Sequence, residues 1–226
     1  MAHPPFDISD EHLAKSARRI LDLRRLGITN LAILDALETI QRTDFTIPAW
    51  RELALSGDNV PIPCGQSMSG FIEVAMMADA LQLLPDHRLL LGGAGAGYAC
   101  AILSHLVHDI LAFDRFQTLV DLARTNLDRH KILNVTVHLG DVLDRTTTER
   151  DGYGDFDRIL LTGAISEFPT SLRRVLGPRS QLLAPLNRAE GQAWCRFTRG
   201  KDGAISIEEI APSFCTDLIP GLAKML

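Results

Sequence analysis

Apolar and polar positions along the chain fall into two regimes. Through the first third, apolar residues recur at helical spacing. Leu13, Ala17, Ile20 and Leu21 follow Ser9 and Asp10, whose short polar side chains suit a helix start, and Ile33, Leu34, Leu37 and Ile40 follow Thr29 or Asn30 in the same way. Gly27 lies between the two and suits a helix stop, because glycine tolerates the left-handed conformation. Residues 46–70, TIPAWRELALSGDNVPIPCGQSMSG, break the pattern with Pro, Gly and Ser and read as a loop. Loops this long inside a compact domain are usually functional. The spacing predicts a third helix from about Phe71 to Leu84, ended by Pro85.

From Arg88 the pattern alternates between short apolar runs and helical stretches. RLLLG (from Arg88), DILAFD (from Asp109), VTVHL (from Val135) and FDRILLT (from Phe156) read as strands, with GYACAILSHLV and RFQTLVDLARTNLDRH as helices between the first three. Strands alternating with helices of this length predict an α/β fold with a parallel sheet covered on both faces. After Leu176 the chain turns to RSQLLAPL, QAWCRFTRG and AISIEEI, the last two joined by Lys201-Asp202-Gly203. That arrangement predicts an antiparallel hairpin closing one edge of the sheet. The expected division is an N-terminal helical extension with a loop over residues 1–84 and a sheet-bearing domain over 85–226, packed as one compact unit. The segment from Ser213 to Leu226 fits either a short helix or a packed tail.

Composition adds exclusions. The 226 residues can bury a substantial core without staples. A net charge of −5 gives no reason to expect a nucleic-acid partner, since proteins that bind nucleic acid usually carry a basic face. No apolar run reaches the roughly 18 residues of a membrane span, and the first residues lack the apolar core of a secretory signal, so cytoplasmic residence is expected. Cys64, Cys100, Cys195 and Cys215 are scattered with no ligand spacing, and His105 and His108 read as helix-end residues, so no metal site is expected.

Chemistry concentrates in LLLGGAGAGYACAIL, from Leu89. A strand runs into Gly93-Ala94-Gly95-Ala96-Gly97 and a helix follows at once. Glycines here permit a tight turn and the close approach of a ligand. The dinucleotide fingerprint is GxGxxG, which seats a pyrophosphate on the helix N-terminus. Here the third glycine comes one residue early, as GxGxG, the pattern of enzymes that bind the phosphate-free S-adenosylmethionine; packing alone is the competing explanation for such a turn. Asp114 ends the second strand, where a carboxylate can accept from ribose hydroxyls, and Asp141 follows the third in HLGD, where it can meet an adenine amino group. Capping of the following helix is the alternative role for Asp141.

Several segments together resemble the protein-L-isoaspartate O-methyltransferases from about residue 15 to residue 200. RRLGITNLAILDALETIQRTDF is similar to the family's helical lead-in, and PIPCGQSMSGFIEVAMMADALQL to its PIGxGQTISQPxxVAxMxExL segment. GGAGAGYACAILSHL resembles GTGSGYQAAxLAxL, FDR at Phe113 resembles VER, FDRILLTGAISEFP resembles FDAIIVTAAAPxIP, and VLGPRSQLLAPL resembles LKPGGRLVIPVG. The resemblance implies a Rossmann-like S-adenosylmethionine methyltransferase sheet, with S-adenosylmethionine as cofactor and isoaspartyl-containing proteins or peptides as acceptors. Carried over by position, Gln66, Ser67 and Met68 line the cofactor side of the loop, and Gly93, Ala94, Gly95, Gly97 and Tyr98 form the turn around the cofactor. Asp114 with Arg115, Asp141 with Val142, and Thr162 complete its pocket, while Ser69 donates a hydrogen bond to the acceptor carboxylate. A capping role for the helix at Phe71 is the alternative for both serines, and the preferred one for Ser67.

The implied reaction is attack of an isoaspartyl carboxylate on the cofactor's methyl group, giving an ester that closes to a succinimide and so returns part of the damage to normal aspartate. A carboxylate with an ordinary pKa near 4 is ionised at neutral pH, so no general base is required. Four positions depart from the family pattern. Leu91 stands where the family has Glu, Gly92 where it has an aliphatic residue, Phe71 (after Gly70) where it has Pro, and Asn187 where it has Gly. Three readings follow: an active isoaspartyl methyltransferase, a methyltransferase of altered acceptor, or a non-catalytic relative that lost the cofactor and serves as an interaction module.

Overall fold

The computed structural model describes residues 18–148 and 155–223; Ser9, Asp10, Leu13 and Ala17 lie outside them. Helix α1 covers residues 18–25 and stops at Gly27 (φ +88°), where the Ile28 N–H reaches back to the Leu23 carbonyl at 3.0 Å. Helix α2, Leu31–Thr39, is capped by the Asn30 side chain, which accepts from the Ala32 N–H at 3.0 Å. Its Ile33, Leu34 and Leu37 are buried, as their spacing predicts.

The main sheet has seven strands in the order β5-β4-β3-β6-β7-β8-β9. Strands β3 (Arg88–Gly92), β4 (Asp109–Asp114), β5 (Val135–Leu139), β6 (Arg158–Leu161) and β7 (Gln181–Arg188) are parallel. Strands β8 (Gly191–Arg199) and β9 (Ile205–Pro212) continue the sheet antiparallel. Helices α5 (Tyr98–Ser104) and α6 (Gln117–Arg129) make the crossovers β3-α5-β4 and β4-α6-β5, and the short α7 (Arg145–Thr148) follows β5. The chain leaves β3 toward β4 on one side and returns through β6 on the other. A crevice therefore opens between the carboxyl ends of β3, β4 and β6, where sheets of this type place ligands. Leu89, Leu90 and Leu91 in β3 are fully buried, which is why this strand reads as a continuous apolar run. No helix among the described residues is long and apolar enough to cross a membrane.

The segment expected to be a loop is more ordered than its composition predicts. It holds a single 3₁₀ turn (Pro48–Trp50), helix α3 (Arg51–Leu55) and an antiparallel ribbon of β1 (Val60–Ile62) with β2 (Gln66–Met68). Pro and Gly mark its turns correctly, with Gly65 at φ +67°, but they also hide strands only three residues long. What organises the segment is Arg42, a residue with 2% exposure. Its guanidinium donates to the carbonyls of Ala54 (3.5 Å), Ser56 (3.0 Å), Asp58 (2.5 Å) and Met68 (3.1 Å). Irregular backbone has no ladder to satisfy its carbonyls, and one planar five-donor group does so here. Burial lowers the pKa of Arg42 from the usual guanidinium range, with nearby Arg19 acting in the same direction and Tyr98, Asp58 and Glu73 opposing.

Helix α4 spans Phe71–Leu81 and ends three residues before the expected Leu84. The stop is set by tertiary contacts: Arg196 donates to the Ala80 carbonyl (2.6 Å) and Arg158 to that of Leu81 (2.6 Å), while Gln82 turns left-handed at φ +48°. Apolar residues of α2 and α4, among them Ile33, Leu37, Val74 and Met77, share one cluster with Leu89, Leu91 and Ile102 of the sheet layer.

Replacing Arg42 by Leu strands four buried or half-buried carbonyls and is expected to cost at least about 3 kcal/mol of stability, read as a lowered urea midpoint. Arg42→Lys is expected to recover only part of that, since a single ammonium cannot span both ends of the segment.

Candidate functional site

The crevice is built around the turn that leaves β3. Gly93, Gly95 and Gly97 adopt φ of +90°, +56° and +89°, conformations that disfavour any side chain. The Gly93 and Ala94 N–H groups donate to the Phe113 carbonyl (2.8 and 3.1 Å), which ties the turn to the end of β4. A Cβ on Gly93 would lie 2.3 Å from the Thr162 hydroxyl oxygen, which donates to the Gly93 carbonyl at 2.7 Å. Gly97 faces the other way: it caps α5, and a Cβ there would press on the Ala123 backbone at 3.2 Å. Its role is the turn and the packing of α5 on α6, and it does not line the crevice.

Asp114 is the electrostatic centre of the site. At 6% exposure, its carboxylate accepts from the Gly95 N–H (2.9 Å) and the Phe116 N–H (3.0 Å). One side chain thus fixes both the glycine turn and the start of α6. Burial raises its pKa above the ordinary carboxyl value, and the backbone donors and nearby Arg115 only partly offset this. A group whose folded pKa is raised favours folding most at low pH, and that contribution is lost as pH rises through the raised value. At neutral pH, burying an ionised Asp114 therefore works against stability.

Most of the predicted cofactor positions line this one cleft. Gln66 and Ser67 approach from β2, Gly93 and Gly95 from the turn, Asp114 and Arg115 from the end of β4, Asp141 and Val142 from the end of β5, and Thr162 from the end of β6. An adjoining hollow beneath β2 is lined by Met68, Ser69, Ala94 and Tyr98, and shares Ser67, Gly93, Gly95 and Thr162 with the cleft. Tyr98 is buried, packs edge-on against Phe45 (5.5 Å), and burial pushes its phenol to about 12. It is a wall of the hollow and the contact between the N-terminal helices and the glycine turn.

Neither serine caps α4. The capping position is Gly70, which makes no side-chain bond, because β2 runs extended through Met68 and carries Ser67 away from the helix end. This corrects the capping role preferred for Ser67. Gly70 is also required by space, since a Cβ would lie 1.8 Å from the Gly57 carbonyl oxygen. Among the described residues the Ser69 hydroxyl has no hydrogen-bond partner, and the residue lines the hollow beside the glycine turn.

The roof of the cleft comes from a segment that the sequence pattern left open. After β9 the chain runs as an extended tail, and Thr216, Asp217, Leu218 and Ile219 line the cleft. Gln192 holds its root, accepting from the Cys215 N–H (2.6 Å) and donating to the Cys215 carbonyl (3.1 Å). Asn187 donates to the Asp217 carboxylate at 2.8 Å. Backbone bonds Ala164 N–H to Thr216 and Leu218 N–H to Ala164, both 2.8 Å, lay the tail along the end of β6. Farther on, the Gly221 N–H donates to Asp141 Oδ2 (2.6 Å) and the Ala223 N–H to the Arg115 carbonyl (3.1 Å). Asp141 Oδ1 takes the Leu143 N–H at 2.8 Å, so the residue does make the local turn weighed as its alternative role, while lining the cleft as well. The sequence marks this segment only by apolar residues after the last strand, among them Ile219 and Leu222, which the fold leaves 56% and 54% exposed.

Three of the four departures from the family pattern, at Leu91, Gly92 and Asn187, have structural explanations. Leu91 is fully buried in the cluster that joins β3 to α4 and α5, so the position is part of the apolar core here. Gly92 leaves its space to Val142 and Leu161, whose side-chain carbons would lie 2.4 and 2.9 Å from a Cβ. Asn187, in the place of a glycine, clasps the tail.

Comparisons with known proteins agree with this architecture. The family model described as Protein-L-isoaspartate(D-aspartate) O-methyltransferase matches residues 15–217. A protein-L-isoaspartate O-methyltransferase 2 of Rhodopseudomonas palustris is 39% identical over 207 residues, covering 91% of this chain and 93% of that protein. A protein-L-isoaspartate O-methyltransferase of Azorhizobium caulinodans is 37% identical over 220 residues, covering 96% and 99%. In fold, the chain is similar to a crystal structure from Plasmodium falciparum of a protein of that description in complex with S-adenosyl-L-homocysteine, with a TM-score of 0.77 at 20% identity, covering 92% and 98%. With its glycine turn, its paired aspartates and a family match over nearly its whole length, the chain belongs to the protein-L-isoaspartate (D-aspartate) O-methyltransferase family.

Proposed function

We propose that this chain is an active member that transfers a methyl group from S-adenosylmethionine to the carboxylate of L-isoaspartyl residues in damaged cytoplasmic proteins. The observation that carries this reading is Ser69, whose hydroxyl has no partner among the described residues and which lines a hollow that opens onto the glycine turn. The residues present fit the cofactor: side-chain-free backbone at Gly93 and Gly95, the Asp114 carboxylate at the cleft wall, and Gln66 and Ser67 on its rim. When bound, S-adenosylmethionine supplies an activated methyl group.

The chain's own work is then positioning. Asp114 accepts from the ribose, using lone pairs that Gly95 and Phe116 leave open, because each carboxylate oxygen takes two donors. Asp141 and Val142 bound the base. Ser69 donates to one oxygen of the acceptor carboxylate and leaves the other aimed along the transfer axis. The tail residues Thr216–Ile219 exclude water from the line of transfer. No side chain has to remove a proton, since the acceptor arrives ionised. Loss of catalysis would leave Ser69 without a task, whereas a different carboxylate acceptor would keep the same donor.

Asp114→Asn is expected to weaken S-adenosylhomocysteine binding about tenfold or more by calorimetry, the cost of roughly one charged hydrogen bond. Because the Asp114 carboxyl titrates above the ordinary range and binding uses its ionised form, native affinity is expected to fall as pH drops through that raised value. The variant should not show this dependence; the same acid limb in both proteins would exclude Asp114 as its source. Ser69→Ala is expected to lower kcat on an isoaspartyl peptide by about 10- to 100-fold while leaving S-adenosylhomocysteine affinity unchanged. Undiminished turnover in that variant would remove Ser69 from the reaction.

A further inference from the structure

Beyond the cofactor cleft, on the far side of the tail, lies a groove between the β6–β7 connection and the tail itself. Leu143, Ile165, Phe168, Pro169 and Pro220 give it apolar walls, and it shares Asp217, Leu218 and Ile219 with the cleft. At its other end Thr170 is common to the groove and to a second hollow, whose remaining lining is Arg145, Arg173, Arg174 and Arg199. The four guanidinium groups come from three places in the fold: α7, the 3₁₀ turn Thr170–Arg173 with its following residue, and the end of β8.

This concentration is unusual for a chain of net charge −5. Arg173 donates to the Gly203 carbonyl (2.7 Å) and Arg199 to the Arg173 carbonyl (3.3 Å), and among the described residues neither pairs with a carboxylate. A guanidinium on a backbone carbonyl keeps its full charge and most of its five donors for a planar anion. The groove itself has the opposite character, because Glu167 and Asp217 line it, and Asp217 is shared with the cleft. The electrostatics are therefore directional, acidic next to the cleft and basic at the far end.

We propose that this groove holds the acceptor polypeptide as it leaves the methyl-transfer site, and that the arginine hollow selects acceptors with acidic side chains at the matching distance from the isoaspartyl residue. The inference rests on the proposed function and deepens it, from any isoaspartyl peptide to one with a displaced acidic patch. An extended peptide covers about 3.3 Å per residue, so the preference depends on spacing and on which side of the isoaspartate the acids lie.

The test is steady-state methylation, with S-adenosylmethionine, of three isoaspartyl peptide series matched in length. One is neutral, one carries a glutamate pair stepped away on the amino side, and one carries it on the carboxyl side. The expected result is a KM about three- to tenfold below the neutral peptide's for one spacing on one side, with kcat unchanged, and a gap that closes as salt is added. In the double variant Arg173→Ser/Arg199→Ser the gap should vanish while the neutral peptide keeps its KM and kcat, a control that also reports an intact fold. Equal KM values across all series on the native chain, or an acidic advantage that survives in the double variant, would overturn the arginine hollow as a selector and leave the proposed function standing. Failure of the native chain to methylate any series would overturn the proposed function, and this inference with it.

Discussion

One buried cation organises the half of the site that the sheet does not. Residues 46–70 carry Gln66, Ser67, Met68 and Ser69, yet only a two-stranded ribbon, a 3₁₀ turn and a single short helix give them regular backbone bonding. The Arg42 guanidinium satisfies carbonyls from Ala54 to Met68, and among the described residues it has no carboxylate partner. It also lies 6.0 Å from the Tyr98 ring centroid, and Tyr98 opens the helix behind the glycine turn. A single residue of the N-terminal extension thereby sets the placement of the serine loop against the cofactor turn. Removing it would disturb both sides of the hollow at once.

Asp114 shows the opposite balance. A carboxylate at 6% exposure with a raised pKa is a local cost at neutral pH. Its bond from the Gly95 N–H helps hold the glycine turn in conformations that side-chain-bearing residues avoid, and its bond from the Phe116 N–H fixes the start of α6. Where Arg42 stabilises an irregular segment, Asp114 maintains a locally unfavourable arrangement, which under the proposed function a bound ligand completes.

What could be read in advance followed from how local each determinant is. All the strands from Arg88 onward, the antiparallel closing hairpin and the Gly27 and Asn30 helix signals depend on periodicity and short-range turn chemistry, and they stand as predicted. The β1–β2 ribbon was missed because three-residue strands leave no periodicity and their bounding Pro and Gly look like loop. The end of α4 was misplaced because Arg158 and Arg196, more than 70 residues away in sequence, cap it. Arg42 carries no local mark at all, since its role exists only through carbonyls brought to it by folding. Likewise, nothing before Ser213 announces that Thr216 to Ile219 roof the cleft; Gln192 on β8 and Asn187 on β7 decide it.

The tail has a consequence for the order in which the molecule becomes competent. Every strand of the main sheet precedes residue 213, so a growing chain can assemble its full parallel core while the cleft is still roofless. The glycine turn, Asp114 and Ser69 are all in place at that stage, but the wall that contains them is not. Maturation of the site is thus separated from maturation of the fold, and depends on the emergence of a short stretch anchored by Gln192, Asn187 and Asp141.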